Sequence, residues 1–400
     1  MKPTHKPMQQ NRAIYLDHNS ATEPHSTVRA FLKTLADQAG TPLGNPSSIH
    51  AHGQASKRLI NEAREQVARS LGNPAHEQLI FTSSGTEANQ LAIRSALSRA
   101  RGESAGPNWV LSAIEHKSVL DLKNEFVDTG GDVRTLPTSS DGRIQMDRLT
   151  DFVDSGSALV SVIWVGNETG VISDVAPLLE VKRRYPDTWI HVDAAQAWGK
   201  TPIDFGSLGI DSLSLSPYKI GGLPGTGVLC LAPGRSLKSL ILGHQELGRR
   251  GGTENLLSIV AAGLAAQATA PEDYDETLRP LRDRFESLVR AEIPDVRING
   301  AEAPRVANTS NLSFTGVQGE SLVMSLDLEG FSVSAGSACA SGLLEPSHVL
   351  LAMGLPQGEA MAAVRVSIGR TTRWEDLEAF AKVLRLIVER QRRKSDSYGR

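Results

Sequence analysis

Cysteine is scarce in this chain of 400 residues, which has only Cys230 and Cys339. Two thiols cannot supply a disulfide framework, and such sparse use is typical of a reducing compartment, so we predict a cytoplasmic protein. Long apolar runs are lacking as well. The longest, residues 158–165 and 259–266, fall far short of the roughly 20 residues that a membrane-spanning helix needs. The first residues, 1–12, lack the apolar core of a secretory signal, so we expect no membrane partner.

An excess of charge of either sign is also missing. There are 42 Lys and Arg residues against 45 Asp and Glu residues, which gives a net charge of −3. A protein that binds nucleic acid by neutralising phosphates is normally basic, so we predict no nucleic-acid partner. Hydrophobic residues make up 40% of the chain, an ordinary globular value that argues against an acidic disordered chain. At roughly 150 residues per domain, this length predicts two or three domains.

Short strand-like runs alternate with helical patterns along most of the chain. This alternation predicts an α/β fold in which helices connect the strands of a sheet. The runs are largely apolar along their length, which indicates a sheet buried on both faces. Residues 87–97 are predicted to be helical because apolar side chains recur at 88, 91, 92 and 96. The predicted strands are 78–82, 109–113, 159–165, 189–193, 212–215 and 227–231.

The pattern changes near residues 270–274. A charged amphipathic helix is predicted for 276–292, followed by a strand at 311–314 and a last long helix at 374–393. We therefore predict a domain boundary near residue 269, with a smaller domain after it.

A glycine-containing turn, Ser83-Ser84-Gly85-Thr86-Glu87, joins the first predicted strand to a helix. The free N–H groups at a helix N-terminus, with hydroxyl groups beside them, form a ready anion site. Glycine also allows the backbone to approach a ligand closely. An ordinary capped helix start is the alternative explanation of the same residues.

Two further motifs, taken together with this turn, favour a ligand site. Asp193 ends a predicted strand, at the edge where open α/β sheets bind ligands, although alone it also fits a helix cap. Lys219 lies between a strand and a Gly-rich loop, where partial burial would make its amine a nucleophile or a base, although a surface lysine is the usual case. An anion site, a carboxylate for a cationic ring nitrogen and an amine for an aldehyde are what pyridoxal phosphate requires, so we predict that cofactor.

Cys339 lies in a segment of small residues, 334–342 (SAGSACASG). Small neighbours leave the thiol unshielded, and a thiol with a pKa of about 8.5 supplies a thiolate nucleophile. A small apolar cysteine in a turn is the alternative, which the lack of bulky neighbours disfavours. Cys230 lies inside an apolar strand, and we predict a core residue there.

Three other polar residues are candidates for the same site. His116 follows a strand and can stack on a ring or move protons, although a buried structural histidine is the commoner case. Arg365 can clamp a carboxylate or form a structural ion pair. Asn167 can hydrogen-bond a cofactor oxygen or hold a turn. His50 and His52 have no third ligand in a metal-binding pattern, so we predict no metal site.

Taken in order, these motifs resemble the cysteine desulfurases of the NifS/IscS type, in the class-V aminotransferase group. The resemblance runs from Tyr15 to Gly369, nearly the whole chain. It implies a fold-type I pyridoxal-phosphate enzyme with a large domain (28–268) built on a mostly parallel seven-stranded sheet. A smaller α/β C-terminal domain (1–27 and 269–400) would carry a mobile cysteine loop at about 332–346. The landmark motifs are GNPSSIH (44–50), SGTEA (84–88), EH (115–116), NE (167–168), HVDAAQ (191–196), SPYK (216–219), RGGT (250–253), GSAC (336–339) and LEPSHVL (344–350).

The resemblance also implies the role of each site residue. Lys219 would hold the cofactor and then act as the base, and Cys339 would be the nucleophile. His116 would be catalytic and stack on the ring, and Asn167 and Arg365 would bind the substrate carboxylate. The other implied cofactor contacts are Gly85, Thr86, Ser216 and Tyr218 with the phosphate, Asp193 with the ring nitrogen, Gln196 with the phenolic oxygen, Asn167, and Thr253 with the cofactor phosphate of the second subunit in a homodimer.

The implied reaction converts L-cysteine to L-alanine and leaves the sulfur on Cys339 as a persulfide, which passes to an iron–sulfur scaffold protein or to tRNA thiolation. Alternatives are a selenocysteine lyase, a transaminase of the same group and a non-catalytic scaffold. Cys339 argues against the transaminase, which needs no acceptor thiol, and Lys219, Asp193 and Cys339 argue against the scaffold. The family commonly has His where this chain has Tyr218, whose phenol still donates to phosphate but carries no positive charge.

Overall fold

The structure, a computed structural model, describes residues 13–37, 43–100, 107–335 and 345–398. In this part of the chain the strands form three sheets. The strands are β1 (Ile14–Tyr15), β2 (Leu79–Thr82), β3 (Asn108–Ser112), β4 (Asp132–Leu136), β5 (Ser157–Ile163), β6 (Trp189–Asp193), β7 (Ser212–Leu215), β8 (Gly227–Leu231), β9 (Val296–Ile298), β10 (Thr309–Phe314), β11 (Phe331–Ser332), β12 (Ser334–Ala335) and β13 (Ala363–Ser367).

A seven-stranded sheet with the order β2-β8-β7-β6-β5-β3-β4 forms the centre of the described chain. Neighbouring strands are parallel from β7 to β4, whereas β8 runs antiparallel to both of its neighbours. Every residue of β3, β6, β7 and β8 is buried, as expected for a sheet with apolar clusters on both faces. The edge strand β4 is partly exposed and carries Asp132 and Arg134, charges that discourage edge-to-edge pairing. The prediction of a mostly parallel seven-stranded sheet is confirmed.

Helices flank the sheets on both sides. They are α1 (Ser26–Asp37), α2 (Ala51–Arg69), α3 (Gly85–Ala100), α4 (Lys117–Leu120), α5 (Leu122–Asp128), α6 (Leu149–Phe152), α7 (Pro177–Arg184), α8 (Phe205–Leu208), α9 (Leu256–Gln267), α10 (Pro271–Glu292), α11 (Gly319–Leu328), α12 (His348–Ala352), α13 (Gln357–Met361) and α14 (Trp374–Tyr398). Short 3-10 turns lie at His76–Gln78, Met146–Arg148, Pro217–Lys219 and Glu246–Gly248. Among the described helices, none combines the length and the apolar character needed to cross a bilayer.

The C-terminal part of the chain builds a second apolar core. Its antiparallel sheet has the order β12-β13-β10-β9, and the short strand β1 pairs in parallel with β11. Helices α10 and α14 pack against each other and share one apolar cluster with this sheet. Phe285, Phe314 and Phe380 are buried members of that cluster. Leu16, directly after β1, is fully buried in the same cluster, so the N-terminal segment packs with C-terminal residues.

Predicted and observed strands differ mainly at their ends. β5 ends at Ile163 instead of residue 165, because the chain leaves the sheet there and Val165 pairs with Ile172. For β6, β7 and β8 the first and last residues are the same as those predicted.

The helix after the predicted domain boundary begins earlier than expected. α10 starts at Pro271 instead of residue 276, because proline suits the first helical position and Glu272 and Asp273 favour a helix N-terminus. The boundary predicted near residue 269 falls between α9 and α10, and the domain limits stay predictions.

Candidate active site

One cavity gathers nearly all of the predicted cofactor residues. It opens at the carboxyl ends of β5, β6 and β7, the edge of the sheet where α/β proteins bind ligands. Thr253 is the exception, because it is exposed on the loop before α9 and does not line this cavity. The lining includes Gly85, Thr86, His116, Asn167, Asp193, Gln196, Ser216, Tyr218 and Lys219, together with Asn89 and Ser118, which the sequence analysis did not single out.

The N-terminus of α3 forms one end of the cavity. A Cβ atom on Gly85 would overlap Ser216 Oγ, because the distance between them would be well below 3.0 Å, the shortest that real Cβ contacts show. A side chain at position 85 would therefore displace the Ser216 hydroxyl, and Thr86 and Ser216 place hydroxyl groups in the lining beside this glycine. The first N–H groups of the helix and its positive dipole end suit an anion such as phosphate.

Glu87, in the first turn of α3, ties this turn to the loop that carries Thr253. Its Oε2 accepts from Ser83 N at 2.7 Å, and Arg250 Nε donates to its Oε1 at 2.9 Å. Burial alone would raise the pKa of Glu87, but the hydrogen bonds from Arg250 and Ser83 lower it below its usual value. Glu87 is therefore a carboxylate that fixes the turn and the loop against each other.

Asp193 is a buried acceptor at the end of β6. Its Oδ1 accepts from Ala195 N at 2.9 Å, and its Oδ2 accepts from Asn89 Nδ2 at 2.8 Å. Asn89 Nδ2 also donates to Ser118 Oγ at 2.9 Å, and Ser118 Oγ lies 2.8 Å from His116 Nδ1. The side-chain amide of Asn89 thus connects Asp193, the predicted partner of the ring nitrogen, through Ser118 to His116, the predicted stacking residue.

Two basic groups of the cavity have lowered pKa values. Burial lowers the pKa of Lys219 to about 8, opposed by the charge of Asp193 and assisted by that of Arg365. Burial is also the main cause of the lowered pKa of His116. At pH 7 the ring of His116 is therefore mostly neutral, and Lys219 has an appreciable fraction of neutral amine.

A second cavity adjoins Lys219 and reaches the C-terminal sheet, where Arg365 lines it. Arg365 Nη2 lies 2.7 Å from Asp17 Oδ1, and its Nη1 donates to the backbone oxygen of Asn167 at 3.0 Å. Among the described residues, the buried atoms Arg365 Nε and Asn167 Oδ1 have no hydrogen-bond partner. Unpaired buried polar atoms are costly, so these two indicate a ligand site beside Lys219.

Cys339 lies outside the described residues, but the chain before its segment lines this second cavity and the chain after it contacts a lining residue. Ala335, the last described residue before it, lines the cavity. On the other side, Ser347 Oγ donates at 2.5 Å to Oε2 of Glu168, which lines the same cavity. Burial raises the pKa of Glu168 to about 7, against the opposing effect of the Ser347 hydrogen bond. Cys230, by contrast, is fully buried in β8, as predicted for a core residue.

Two lining residues, Asn89 and Ser118, were not predicted, and only Asn89 has a signal in the sequence. Asn89 lies one helical turn after Gly85 and Thr86, so helical spacing alone places it on the same face of α3. Ser118 has no such signal. It reaches the site because His116 caps α4 and accepts from Ser118 N at 3.1 Å.

The chain is similar over nearly its whole length to known proteins. The family model described as Aminotransferase class-V matches residues 14–380. A cysteine desulfurase of Cereibacter sphaeroides is 38% identical over 95% of this chain and 96% of its own length. An IscS-like cysteine desulfurase of Mycobacterium tuberculosis is 39% identical over 95% of this chain and 97% of its own length. Among solved structures, a NifS-like protein from Rickettsia africae has a TM-score of 0.83 at 30% identity, and the match covers 94% of this chain and 100% of that chain.

Proposed function

We infer, because the chain belongs to the class-V aminotransferase family, that it uses pyridoxal phosphate, and we propose that it is a cysteine desulfurase. The proposed reaction breaks the Cβ–S bond of L-cysteine and forms an S–S bond to the thiol of Cys339. The transferred sulfur is oxidised as the carbon is reduced, and the carbon skeleton takes up a proton and leaves as L-alanine. The products balance as alanine and a persulfide, with no further co-reactant.

The cavity fits pyridoxal phosphate in three respects, and their combination carries the proposal. The start of α3 at Gly85 suits a phosphate, the buried Asp193 suits a protonated ring nitrogen, and the half-buried Lys219 with a pKa of about 8 suits an aldehyde. When bound, pyridoxal phosphate supplies an electron-withdrawing ring that makes the Cα–H bond of an amino acid acidic.

Each proposed cofactor contact uses a group of matching chemistry. Donors meet the phosphate, an aromatic ring meets the ring face, and a carboxylate meets the ring nitrogen. The proposed contacts are Gly85, Thr86, Ser216 and Tyr218 to the phosphate, Thr253 to the phosphate of the second subunit in a homodimer, His116 to the ring face, Asp193 to the ring nitrogen, Gln196 to the phenolic oxygen and Lys219 to the aldehyde.

Lys219, Arg365 and Asn167 would act on the substrate. A pKa of about 8 leaves part of Lys219 neutral at pH 7, so its amine can accept the Cα proton as a general base. Arg365 Nε is a buried donor without a partner among the described residues, and it would pair with the substrate carboxylate. The backbone oxygen of Asn167 accepts from the same guanidinium, which supports a role for the Asn167 amide in binding that carboxylate.

The Cys339 thiolate would then attack the substrate sulfur. Support comes from Ala335, which lines the second cavity, and from the hydrogen bond that Ser347 donates to Glu168, another lining residue. We further propose that the persulfide sulfur passes in the cytoplasm to an acceptor, such as an iron–sulfur scaffold protein or a tRNA-thiolating protein.

Incubation of the purified protein with L-cysteine tests the proposal, with alanine and protein-bound persulfide measured together. We expect equal amounts of both in the first turnover. The Cys339→Ala variant should keep the bound cofactor and lose persulfide formation. Cys230→Ala is the matched control, because it removes a cysteine that is buried in β8, and it should still form both products.

Three outcomes would contradict parts of the proposal. Unchanged sulfide release by the Cys339→Ala variant would contradict the role of that thiol. A colourless protein in which borohydride reduction leaves Lys219 unmodified would contradict the cofactor and favour a non-catalytic scaffold. Alanine formed from selenocysteine, with no persulfide formed from cysteine, would favour a selenocysteine lyase.

A further inference from the structure

Lys200 is a buried lysine that the proposed reaction does not use. It is only 6% exposed, and its Nζ donates to Oε1 of Gln196 at 2.6 Å and to Oδ1 of Asn19 at 2.8 Å. Burial lowers the pKa of Lys200 well below its usual value, yet the amine and the ammonium forms both have the two N–H donors that these oxygens require. Lysine is almost never fully buried without such partners, so these two contacts define its role.

The polarity of these hydrogen bonds is fixed by two backbone carbonyl groups, which can only accept. The carbonyl of Asn19 accepts from Gln196 Nε2 at 2.9 Å, so the amide oxygen of Gln196 must face Lys200. The carbonyl of Ile368 accepts from Asn308 Nδ2 at 3.3 Å, and the same Nδ2 donates to Asn19 Oδ1 at 2.9 Å. Two amide oxygens therefore converge on Lys200, which donates to both.

We propose that Lys200 is a positioning residue that holds the amide of Gln196 in the orientation needed to donate to the cofactor. Lys200 holds Oε1, and the Asn19 carbonyl holds one hydrogen of Nε2. The second hydrogen of Nε2 is left for the cavity that Gln196 lines, where it would donate to the ring oxygen of pyridoxal phosphate. This inference rests on the proposed function, because it requires that cofactor in the cavity.

Asn19 extends this arrangement to the C-terminal sheet. Its backbone N–H donates to Ser367 Oγ at 2.9 Å, and its Nδ2 donates to Thr309 Oγ1 at 2.9 Å. Those two hydroxyls belong to β13 and β10, whereas Gln196 and Lys200 follow β6 of the central sheet. The orientation of Gln196 therefore depends on residues of the C-terminal sheet, to which Lys200 and Asn19 connect it.

The Lys200→Met variant tests the inference, because methionine keeps an unbranched side chain and has no donor. We expect the dissociation constant of pyridoxal phosphate to rise about fivefold to tenfold, the effect of one lost hydrogen bond. The pH midpoint of the bound cofactor's absorbance change should rise by about half a unit, because an N–H donor stabilises the deprotonated ring oxygen. Lys182→Met is the matched control. Lys182 donates to Asp211 Oδ2 at 2.8 Å near the N-terminal end of β6, opposite the end that borders the cavity. Loss of this hydrogen bond should lower the unfolding temperature and leave both cofactor readouts unchanged.

A double-mutant cycle with Gln196→Leu separates positioning from general stabilisation. If Lys200 acts through Gln196, then adding Lys200→Met to Gln196→Leu should change neither the dissociation constant nor the pH midpoint further. Equal losses in both backgrounds, or cofactor readouts unaffected by Lys200→Met, would overturn the inference while the wild-type protein still binds pyridoxal phosphate. A wild-type protein that binds none would overturn the proposed function as well. Should Lys200→Met fail to fold, Lys200→Leu, which also has no N–H donor, takes its place in the same cycle with the same criteria.

Discussion

Gly85→Ala is the substitution for which the structure gives the sharpest expectation. The new Cβ atom would overlap Ser216 Oγ, whereas the next nearest atoms, Ser216 Cβ and the Leu215 carbonyl oxygen, lie at 3.5 and 3.6 Å. The clash is therefore with one hydroxyl group, which can rotate away about the Cα–Cβ bond of Ser216. The backbone does not have to move, because position 85 begins α3 and alanine suits a helix.

The loss should fall on cofactor binding and leave the fold intact. Rotation of Ser216 withdraws a hydroxyl that would donate to an anionic phosphate, and such a hydrogen bond contributes about 1.5–3 kcal/mol. The dissociation constant of pyridoxal phosphate should therefore rise about 10- to 100-fold. Alanine in place of glycine in a helix adds up to about 1 kcal/mol to the free energy of unfolding, so the cofactor-free variant should unfold at the same temperature or higher.

Absorbance titration of the cofactor-free protein with pyridoxal phosphate measures this effect. The four proteins to compare are the wild type, Gly85→Ala, Ser216→Ala and the double variant. In the double variant the hydroxyl is absent, and a Cβ atom at position 85 meets its neighbours at ordinary van der Waals distances. The double variant should therefore bind as weakly as Ser216→Ala and no more weakly. Additive losses, or normal binding by Gly85→Ala, would refute the reasoning.

Three further outcomes are expected. The rate at which Lys219 captures pyridoxal phosphate should rise with pH and level off near its pKa of about 8, because only the neutral amine reacts; a stopped-flow rate that still rises above about pH 9 would contradict the lowered pKa. Glu246→Gln should lose about 3 kcal/mol of unfolding free energy in urea, since it leaves Arg64, 2.7 Å away, as an unpaired buried charge; a loss below about 1 kcal/mol, as for an exposed pair, would disprove this. Tyr218→His should tighten cofactor binding more at pH 6 than at pH 8, because imidazole gains its charge below about pH 6.5; equal binding at both pH values would rule out a charge effect.

The central sheet could be predicted because a buried strand of this kind leaves a local pattern in the sequence. The runs 189–193 and 212–215 are buried throughout. Asp193 ends the first run and Ser216 directly follows the second, at the ligand-binding edge of the sheet. Both runs were predicted to the residue, and both polar residues line the cavity. Strand and site were thus encoded in the same few positions.

Contacts between distant segments leave no such pattern. Asn19 and Asn308 are hydrogen-bonded although they are 289 positions apart. Neither periodicity nor motif spacing connects them, because their contact arises where the N-terminal segment packs against the C-terminal sheet. The position of Lys200 four residues after Gln196 was visible in the sequence. Its role was not, since the second oxygen that it contacts belongs to Asn19.

The hydrogen bond from Asn19 to Ser367 has a consequence for how this protein matures. Asn19 leaves the ribosome 348 residues ahead of Ser367, which corresponds to roughly 35 s at about 10 residues per second. Throughout that interval Asn19, which accepts a hydrogen bond from Gln196, lacks its own partner Ser367. The cavity of a growing polypeptide is therefore incomplete. We expect pyridoxal phosphate to bind after synthesis has ended.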